Sequence, residues 1–118
     1  MKESKYFKES ELMCKCGCGK TDMDPMFMEM LDMLREELDR PVVLTSAYRC
    51  SNHPVEAGKE RPGMHSEGKA ADIKVSNGSE RYRVLDAAYK LGFTGVGVAN
   101  GFIHLDTRKG TPVVWRYS

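Results

Sequence analysis

Residues 95–106 read Gly-Val-Gly-Val-Ala-Asn-Gly-Phe-Ile-His-Leu-Asp, and this stretch predicts a β-hairpin. Asn100-Gly101 separates two runs that are rich in β-branched and apolar side chains. Asn-Gly between such runs is the strongest short-range signal for a β-hairpin, because both residues accept a positive φ. We therefore expect two antiparallel strands, 95–99 and 102–106, joined by a tight turn.

Two helices are predicted before this hairpin. The first has Asp24 as its N-cap and Pro25 at its first position, and it must end before Pro41. Within it, apolar residues recur at intervals of four, three and four, which places them on one face. A second helix is expected to start at Ser79 as its cap and to end at Gly92. Both helices are therefore expected to cover a sheet with an apolar face.

Three further strands and an N-terminal arm complete the predicted fold. Residues 41–48 and 69–75 have strand-like composition, and 112–117 offers a final strand after the turn at Lys109-Gly110. Residues 1–22 are expected to form an extended arm that contains Cys and Gly. The order of elements predicts one α+β domain, residues 1–118, with a small, mainly antiparallel sheet and helices on one face.

Composition excludes several classes of partner. Lys plus Arg number 18 and Asp plus Glu number 17, so a net charge of +1 favours neither nucleic acid nor an anionic membrane. No apolar run approaches the roughly 20 residues of a membrane span, so no membrane insertion is expected. The first residues lack the apolar core of a signal peptide, which predicts synthesis in the cytoplasm. We expect a monomer.

The four cysteines leave two alternatives open. Cys14, Cys16 and Cys18 alternate along the chain, and Cys50 follows far downstream. Alternate residues of an extended chain point in opposite directions, so this spacing fits a structural zinc site poorly. A disulfide to Cys50 and reduced, partly buried thiols are the favoured readings.

The stretch 63–73 has the composition of a metal site. His65 and Asp72 stand seven positions apart, Gly68 lets the backbone turn, and the alanines at 70 and 71 leave room. Imidazole and carboxylate groups are both zinc ligands. In a strand over 69–75, Asp72 lies on the face opposite its apolar neighbours.

The same alternation supplies a third ligand from the hairpin. His104 and Asp106 share one face of the strand 102–106, while Ile103 and Leu105 share the other. Both strands thus separate polar candidates from apolar residues, which a purely structural role does not predict. We expect one zinc ion per chain, held by three side chains, with a water at the fourth position whose pKa falls toward about 7. These ligands are His65, Asp72 and His104, on the face that the helices leave open.

At these residues the chain resembles a known family. It is similar to the zinc D-Ala-D-Ala carboxypeptidases, cell-wall metallopeptidases that share their site architecture with lysostaphin-type enzymes and the hedgehog signalling domain. The Cys-Gly arm and the closing Trp115-x-Tyr117 resemble the short, often phage-encoded branch. The resemblance spans nearly the whole chain and is carried by Ser46-Ala47-Tyr48-Arg49-Cys50, His65-x-x-Gly68-x-Ala70-x-Asp72-Ile73, Gly95-Val96-Gly97 and Phe102-Ile103-His104-Leu105-Asp106.

The resemblance implies a fold of the hedgehog/DD-peptidase type and a zinc-dependent peptidase acting on peptidoglycan stem peptides. The activity is that of a D-alanyl carboxypeptidase or an endopeptidase. His65, Asp72 and His104 match the zinc ligands, and Arg49 matches the arginine that holds substrate. Its guanidinium can pair with a C-terminal carboxylate or stabilise an oxyanion. Such an enzyme acts on the cell wall, reached through phage lysis or tail machinery.

The chain departs from the family pattern where many relatives carry the catalytic acid or base. Two and three residues before the last ligand stand Phe102 and Gly101, which transfer no protons. Asp106 is then the candidate general base, or else it orients His104 or Arg49. Weaker candidates for substrate contact are Glu67 and His53.

A further departure lies two residues before His65, where the family usually has serine and this chain has Gly63. The missing upstream base leaves an alternative function from another class. The chain is then a zinc-containing module that binds murein without turnover, or a structural phage component.

Overall fold

The structure is a computed structural model that describes residues 4–14, 21–49, 64–65 and 67–117. Among the helices of these ranges, none combines the length and the apolar character needed to cross a bilayer. The elements in chain order are α1 (Glu9–Leu12), α2 (Pro25–Leu38), β1 (Leu44–Ser46), β2 (Ala70–Lys74), α3 (Gly78–Leu91), β3 (Gly95–Val98), β4 (Phe102–Asp106) and β5 (Val113–Arg116).

Helix α2 begins and ends where its sequence predicts. The Asp24 carboxylate accepts a hydrogen bond from the backbone N–H of Phe27 at 2.9 Å, and Pro25 occupies the first turn. Asp39 ends the helix in the left-handed conformation, with φ at 51°, shortly before Pro41. The apolar stripe of α2 is buried at Phe27, Leu31 and Leu34.

Helix α3 starts earlier than predicted. Its N-cap is Asn77 and not Ser79, because the Asn77 side chain accepts from the backbone N–H of Glu80 at 2.9 Å. The Glu80 carboxylate in turn accepts from the N–H of Ser76 at 2.7 Å. Asparagine caps helices as well as serine does, so the earlier residue takes the role. Gly92 ends the helix at a φ of 89°, as expected.

The strands form a five-stranded mixed sheet with the order β1-β2-β4-β3-β5 in the described part of the chain. The pairings β1–β2, β2–β4 and β4–β3 are antiparallel, whereas β5 runs parallel to β3. Strand β4 is already flanked on both sides, so the chain returns to the free edge of β3. Strand β1 is shorter than the predicted 41–48, and its register with β2 shifts between Leu44 and Ser46.

The hydrophobic core lies between the sheet and the helices. Ile73, Ile103 and Leu105 are almost fully buried on the helix-facing side of β2 and β4. They belong to one cluster with the apolar faces of α2 and α3. The polar partners in the alternation therefore point to the other side of the sheet, as predicted.

The N-terminal segment differs from the extended arm that composition suggests. Residues Glu9–Leu12 make one helical turn, in which the backbone N–H of Lys8 donates to the Glu11 carboxylate at 3.1 Å. Phe7, Leu12 and Cys14 are buried, because this segment packs into the core. The other three cysteines, on which the disulfide alternative depends, lie outside the described residues.

Candidate metal centre

His65, Asp72 and His104 converge on the side of the sheet that the helices do not cover. The His65 Nε2 atom lies 3.2 Å from Asp72 Oδ1, and the His104 Nδ1 atom lies 3.1 Å from the same oxygen. One ligand atom from each residue lies within 4.8 Å of the other two. The three residues are only 5%, 6% and 5% exposed, so the triad is buried.

Strand register brings two of the three together. Asp72 on β2 pairs directly with His104 on β4, and side chains of directly opposed residues lie on the same face. His65 arrives from the turn before β2, in which the Gly68 N–H donates to the His65 carbonyl at 3.3 Å. The Gly68 carbonyl accepts from the N–H of Asp24 at 2.8 Å and so ties this turn to the start of α2.

Gly68 is required by geometry. Its φ of 72° lies in the left-handed region, and a Cβ there would collide with the backbone of residues 22–24. The turn can approach α2 this closely because no side chain stands between them. The turn at Gly68 thus fixes the position of the His65 imidazole relative to Asp72, seven residues later.

In each imidazole, the ring nitrogen that points away from Asp72, here called the outward nitrogen, donates a hydrogen bond to an acceptor. His65 Nδ1 donates to the Ala47 carbonyl at 2.6 Å, and His104 Nε2 donates to Asp106 Oδ2 at 2.7 Å. These bonds fix each tautomer and leave His65 Nε2 and His104 Nδ1 directed toward Asp72. Such pairing is the usual arrangement behind histidines that bind metals.

The donor set fits zinc. Two ligands on a tetrahedral ion with bonds of about 2.1 Å lie about 3.4 Å apart, and the closest ligand atoms here are 3.1 and 3.2 Å apart. Two imidazole nitrogens and one carboxylate oxygen are ligands that zinc accepts, and three protein ligands are typical of a catalytic zinc site.

Electrostatics in the site keep the carboxylates ionised. Burial raises the pKa of Asp72, but its close contacts with His104 and His65 outweigh burial and lower the pKa to about 2. Burial lowers the pKa of His104, but its bonds to Asp106 and Asp72 outweigh that effect and raise the pKa above its ordinary value. A metal ion and a proton compete for His104 Nδ1, because a histidine ligand must be unprotonated at the nitrogen that binds the metal.

Asp106 lies behind His104, away from the other two residues of the triad. Its side chain is fully buried. In addition to the hydrogen bond from His104, its carboxylate accepts hydrogen bonds from three groups of Arg108: the backbone N–H at 3.1 Å, Nε at 3.0 Å and Nη2 at 2.7 Å. Burial raises the Asp106 pKa, but the bonds from His104 and Arg108 hold it well below the usual range. A Cβ at Gly95, its partner on β3, would collide with the Asp106 carboxylate, so only glycine fits there.

Arg49 borders the triad and lies three residues after the end of β1. Its Nη2 lies 3.5 Å from Asp72 Oδ2, its Nε donates to Ser46 Oγ at 3.2 Å, and its backbone N–H donates to the His65 carbonyl at 3.2 Å. With 17% of its side chain exposed, the guanidinium is placed between the triad and solvent.

The two weaker candidates for substrate contact are placed differently. Glu67 is exposed on the turn after His65 and lines a depression together with Lys69, Arg108 and Lys109. His53 lies outside the described residues, as does Gly63. The substrate roles of Glu67 and His53 stay predictions.

Arg108 and Trp115 contact the site and were not among the sequence-based candidates. The Trp115 ring lies 5.1 Å from the His104 ring, and the Arg108 guanidinium lies 4.8 Å from the Trp115 centroid. Both contacts depend on β5 pairing with β3, which no local pattern around residue 115 encodes.

Comparison with known families agrees with this geometry. A family model described as Peptidase M15 matches residues 5–106, from the N-terminal segment to the end of β4. No curated protein matches the chain. The matched range contains the whole triad, together with Arg49 and Asp106, while β5 follows it. The chain belongs to the peptidase M15 family of zinc metallopeptidases, the zinc D-Ala-D-Ala carboxypeptidase family that its motifs resemble.

Proposed function

We propose that the protein is a zinc-dependent peptidase that hydrolyses peptide bonds in the stem peptides of peptidoglycan. The observation that carries this proposal is the buried triad, in which both imidazoles have their outward N–H groups held and their inward nitrogens directed at one point. Preorganised ligands of this kind bind metal without rearrangement, and a three-ligand set leaves a position for water or substrate.

Each residue of the site receives a role from its contacts. His65, Asp72 and His104 would hold the zinc ion, and a zinc ion bound there would supply Lewis-acid chemistry: polarisation of the scissile carbonyl and acidification of a water. Arg49 carries a planar guanidinium at the border of the site, suited to a C-terminal carboxylate or a developing oxyanion. Its contacts with Asp72 and Ser46 orient it there.

For Asp106, the geometry favours the orienting role over that of the general base. A general base must come within about 2.6–3.2 Å of the proton that it takes, or reach it through one water. Asp106 is fully buried, and its oxygens accept from His104 and Arg108. It therefore acts on the reaction through His104, by fixing the tautomer and the direction of the imidazole.

The choice of peptidoglycan as the substrate is more specific than the assignment to a family of zinc peptidases. It is supported by the motif order from Arg49 to His104 and by an arginine placed to receive a free carboxylate. The product distinguishes the two activities: a carboxypeptidase releases D-Ala, whereas an endopeptidase creates new amino groups within cross-linked material. The enzyme reaches the wall through phage lysis or tail machinery, and we expect it to act as a monomer.

The test uses purified protein, its measured zinc content and purified peptidoglycan. We expect about one zinc per chain and release of D-Ala or cleaved cross-links, both lost in His104→Ala. Lys90→Ala, an exposed change on α3, is the control and should behave as the wild type. A wild-type protein without zinc, or a His104→Ala variant with full activity, contradicts the proposal.

One observation favours the alternative of a zinc-containing module that binds murein without turnover. The positions at which many relatives carry an acid or base hold Gly101 and Phe102, and Asp106 is enclosed. Stoichiometric zinc and tight sedimentation with peptidoglycan, with no product after prolonged incubation, would select this module over the enzyme.

A further inference from the structure

Strand β5 carries an aromatic ring to the metal centre from outside the range that the family model matches. In the parallel register, Trp115 pairs with Gly97 on β3, and Gly97 pairs with His104 on β4. A Cβ at Gly97 would lie 2.7 Å from Trp115 Nε1 and 2.8 Å from Cε2. The indole thus occupies the space that a side chain at residue 97 would fill, and it reaches the imidazole of His104 at 5.1 Å between ring centroids.

Arg108 joins this ring to Asp106. Its Nη2 lies 2.7 Å from Asp106 Oδ2, and its Nε lies 3.0 Å from Oδ1, so the pairing is bidentate. The same guanidinium lies over the Trp115 ring at 4.8 Å, within the range of a cation–π contact. Four side chains therefore form a closed ring of contacts, in which each touches the next: His104, Asp106, Arg108 and Trp115.

We propose that Arg108 and Trp115 are positioning residues that set the orientation of the His104 imidazole, Arg108 through Asp106 and Trp115 by direct packing. This inference rests on the zinc site of the proposed function. A fully buried carboxylate needs charged or polar partners to stay ionised, and Arg108 donates to both of its oxygens, including the Oδ2 atom that also accepts from His104. The carboxylate is then fixed in the plane in which Oδ2 meets His104 Nε2.

Packing and hydrogen bonding restrict different motions of the imidazole. The bond to Asp106 fixes the direction of Nε2, and the Trp115 ring, at an interplanar angle of 50°, blocks the ring from tilting toward β5. With both restraints, Nδ1 remains directed at Asp72 and His65. Loss of either restraint leaves the ligand present but less well oriented, which costs affinity for zinc in addition to any loss of stability.

The expected magnitude follows from the behaviour of partners behind metal ligands, whose removal typically costs 10–100-fold in metal affinity. Arg108→Gln should weaken zinc binding by about 10-fold or more, and Trp115→Leu by a similar factor. Trp115→Phe keeps a flat ring on His104 and should recover most of the affinity. Arg108→Lys keeps the charge without the bidentate geometry and should fall between wild type and Arg108→Gln.

A double variant tests the route of action. If Arg108 acts through Asp106, then Asp106→Asn combined with Arg108→Gln should lose no more zinc affinity than Asp106→Asn alone. Independent action predicts instead that the two losses multiply. Matched controls on α3 are Arg83→Gln and Tyr89→Leu, both exposed, which should bind zinc as the wild type does.

The experiment measures zinc affinity of the full chain by competition with a chelator, the visible spectrum of the cobalt-substituted protein, and thermal unfolding without metal. We expect weaker zinc binding and an altered cobalt spectrum in Arg108→Gln and Trp115→Leu, with partial rescue in the conservative variants. Unchanged zinc affinity and an unchanged cobalt spectrum, whether or not unfolding shifts, overturn the inference.

The readouts separate this inference from the proposed function. A wild-type protein that binds zinc and cleaves no peptide refutes the function, while the affinity series still tests the inference. Variants that bind zinc normally but lose peptide cleavage refute the positioning role and leave the function standing. A wild type that binds no zinc overturns both.

Discussion

Gly95→Ala is the substitution whose effect can be worked most directly from the structure. Residue 95 pairs with Asp106 across β3 and β4, and a Cβ there would overlap all three terminal atoms of the Asp106 side chain. Gly95 has no positive φ that would strain alanine by itself. The cost therefore arises from the collision with Asp106.

The collision is costly because Asp106 cannot move aside freely. Its carboxylate is fully buried and hydrogen-bonded to His104 and Arg108, so a shift breaks bonds on one side or the other. Overpacking of a well-packed interior costs about 1–3 kcal/mol. With a urea m-value of about 2 kcal/mol per molar, the unfolding midpoint should fall by about 0.5–1.5 M. Zinc affinity should fall by about 10-fold, because His104 loses its partner.

Gly101→Ala is the matched control. A Cβ at Gly101 has nothing within 4 Å, and the residue is exposed in the hairpin turn. We expect its free energy of unfolding to change by no more than about 0.5 kcal/mol. The assay is urea unfolding without metal, followed by chelator competition for zinc. Equal stability and equal zinc affinity in the two variants would refute the placement of Asp106 against Gly95.

Four further outcomes are expected. Asp106→Asn should lower zinc affinity by about 10–100-fold, because an amide is a weaker acceptor for His104 Nε2 than a carboxylate. Competition with a chelator measures this affinity. A variant that loses only turnover at saturating zinc would identify Asp106 as the general base instead. Zinc affinity should fall as the pH drops through the raised pKa of His104, since protons compete with the metal for Nδ1. Zinc titrations across about pH 5–8, the range in which histidine changes charge, measure this dependence, and a flat profile contradicts the assignment. Without metal, the stabilisation that Asp72 contributes is present above its ordinary pKa of 3.8 and is lost as the pH falls toward about 2. Acid unfolding of the wild type and of Asp72→Asn, measured side by side, tests this expectation. Arg49→Lys should raise KM about 10-fold for peptides with a free C-terminal carboxylate and leave KM unchanged for the C-terminal amides, since lysine cannot pair bidentately.

Local physical chemistry explains why much of the fold could be predicted. Asn100-Gly101 joins β3 to β4 as expected, although neither residue has the positive φ on which that expectation rested. Asp24 and Pro25 start α2 through capping and a fixed φ, which depend on neighbours within a few positions. Alternation in β4 separated His104 from Ile103 for the same reason. The cap of α3 was misplaced at Ser79 because Asn77 is an equally good cap and lies earlier.

Contacts between distant segments account for what could not be predicted. The residue pair Asp72 and His104 was expected on one face, but only the register of β2 with β4 places the two directly opposite. The helical turn at Glu9–Leu12 forms where Leu12 can enter the core, and a polar sequence by itself does not specify that burial.

By itself, the sequence determined the identities of the candidate ligands, the strand faces that carry them and the family to which they point. Only the tertiary structure decided which imidazole nitrogens face Asp72, that Asp106 is enclosed, and that Arg108 and Trp115 complete its surroundings. The physical reason is that alternation and capping act over a few residues. The direction of a histidine ring, in contrast, also depends on acceptors and rings from segments that are distant in the chain. The Ala47 carbonyl reaches His65 from the segment after β1. Trp115 reaches His104 from β5, whose parallel pairing with β3 depends on the whole sheet.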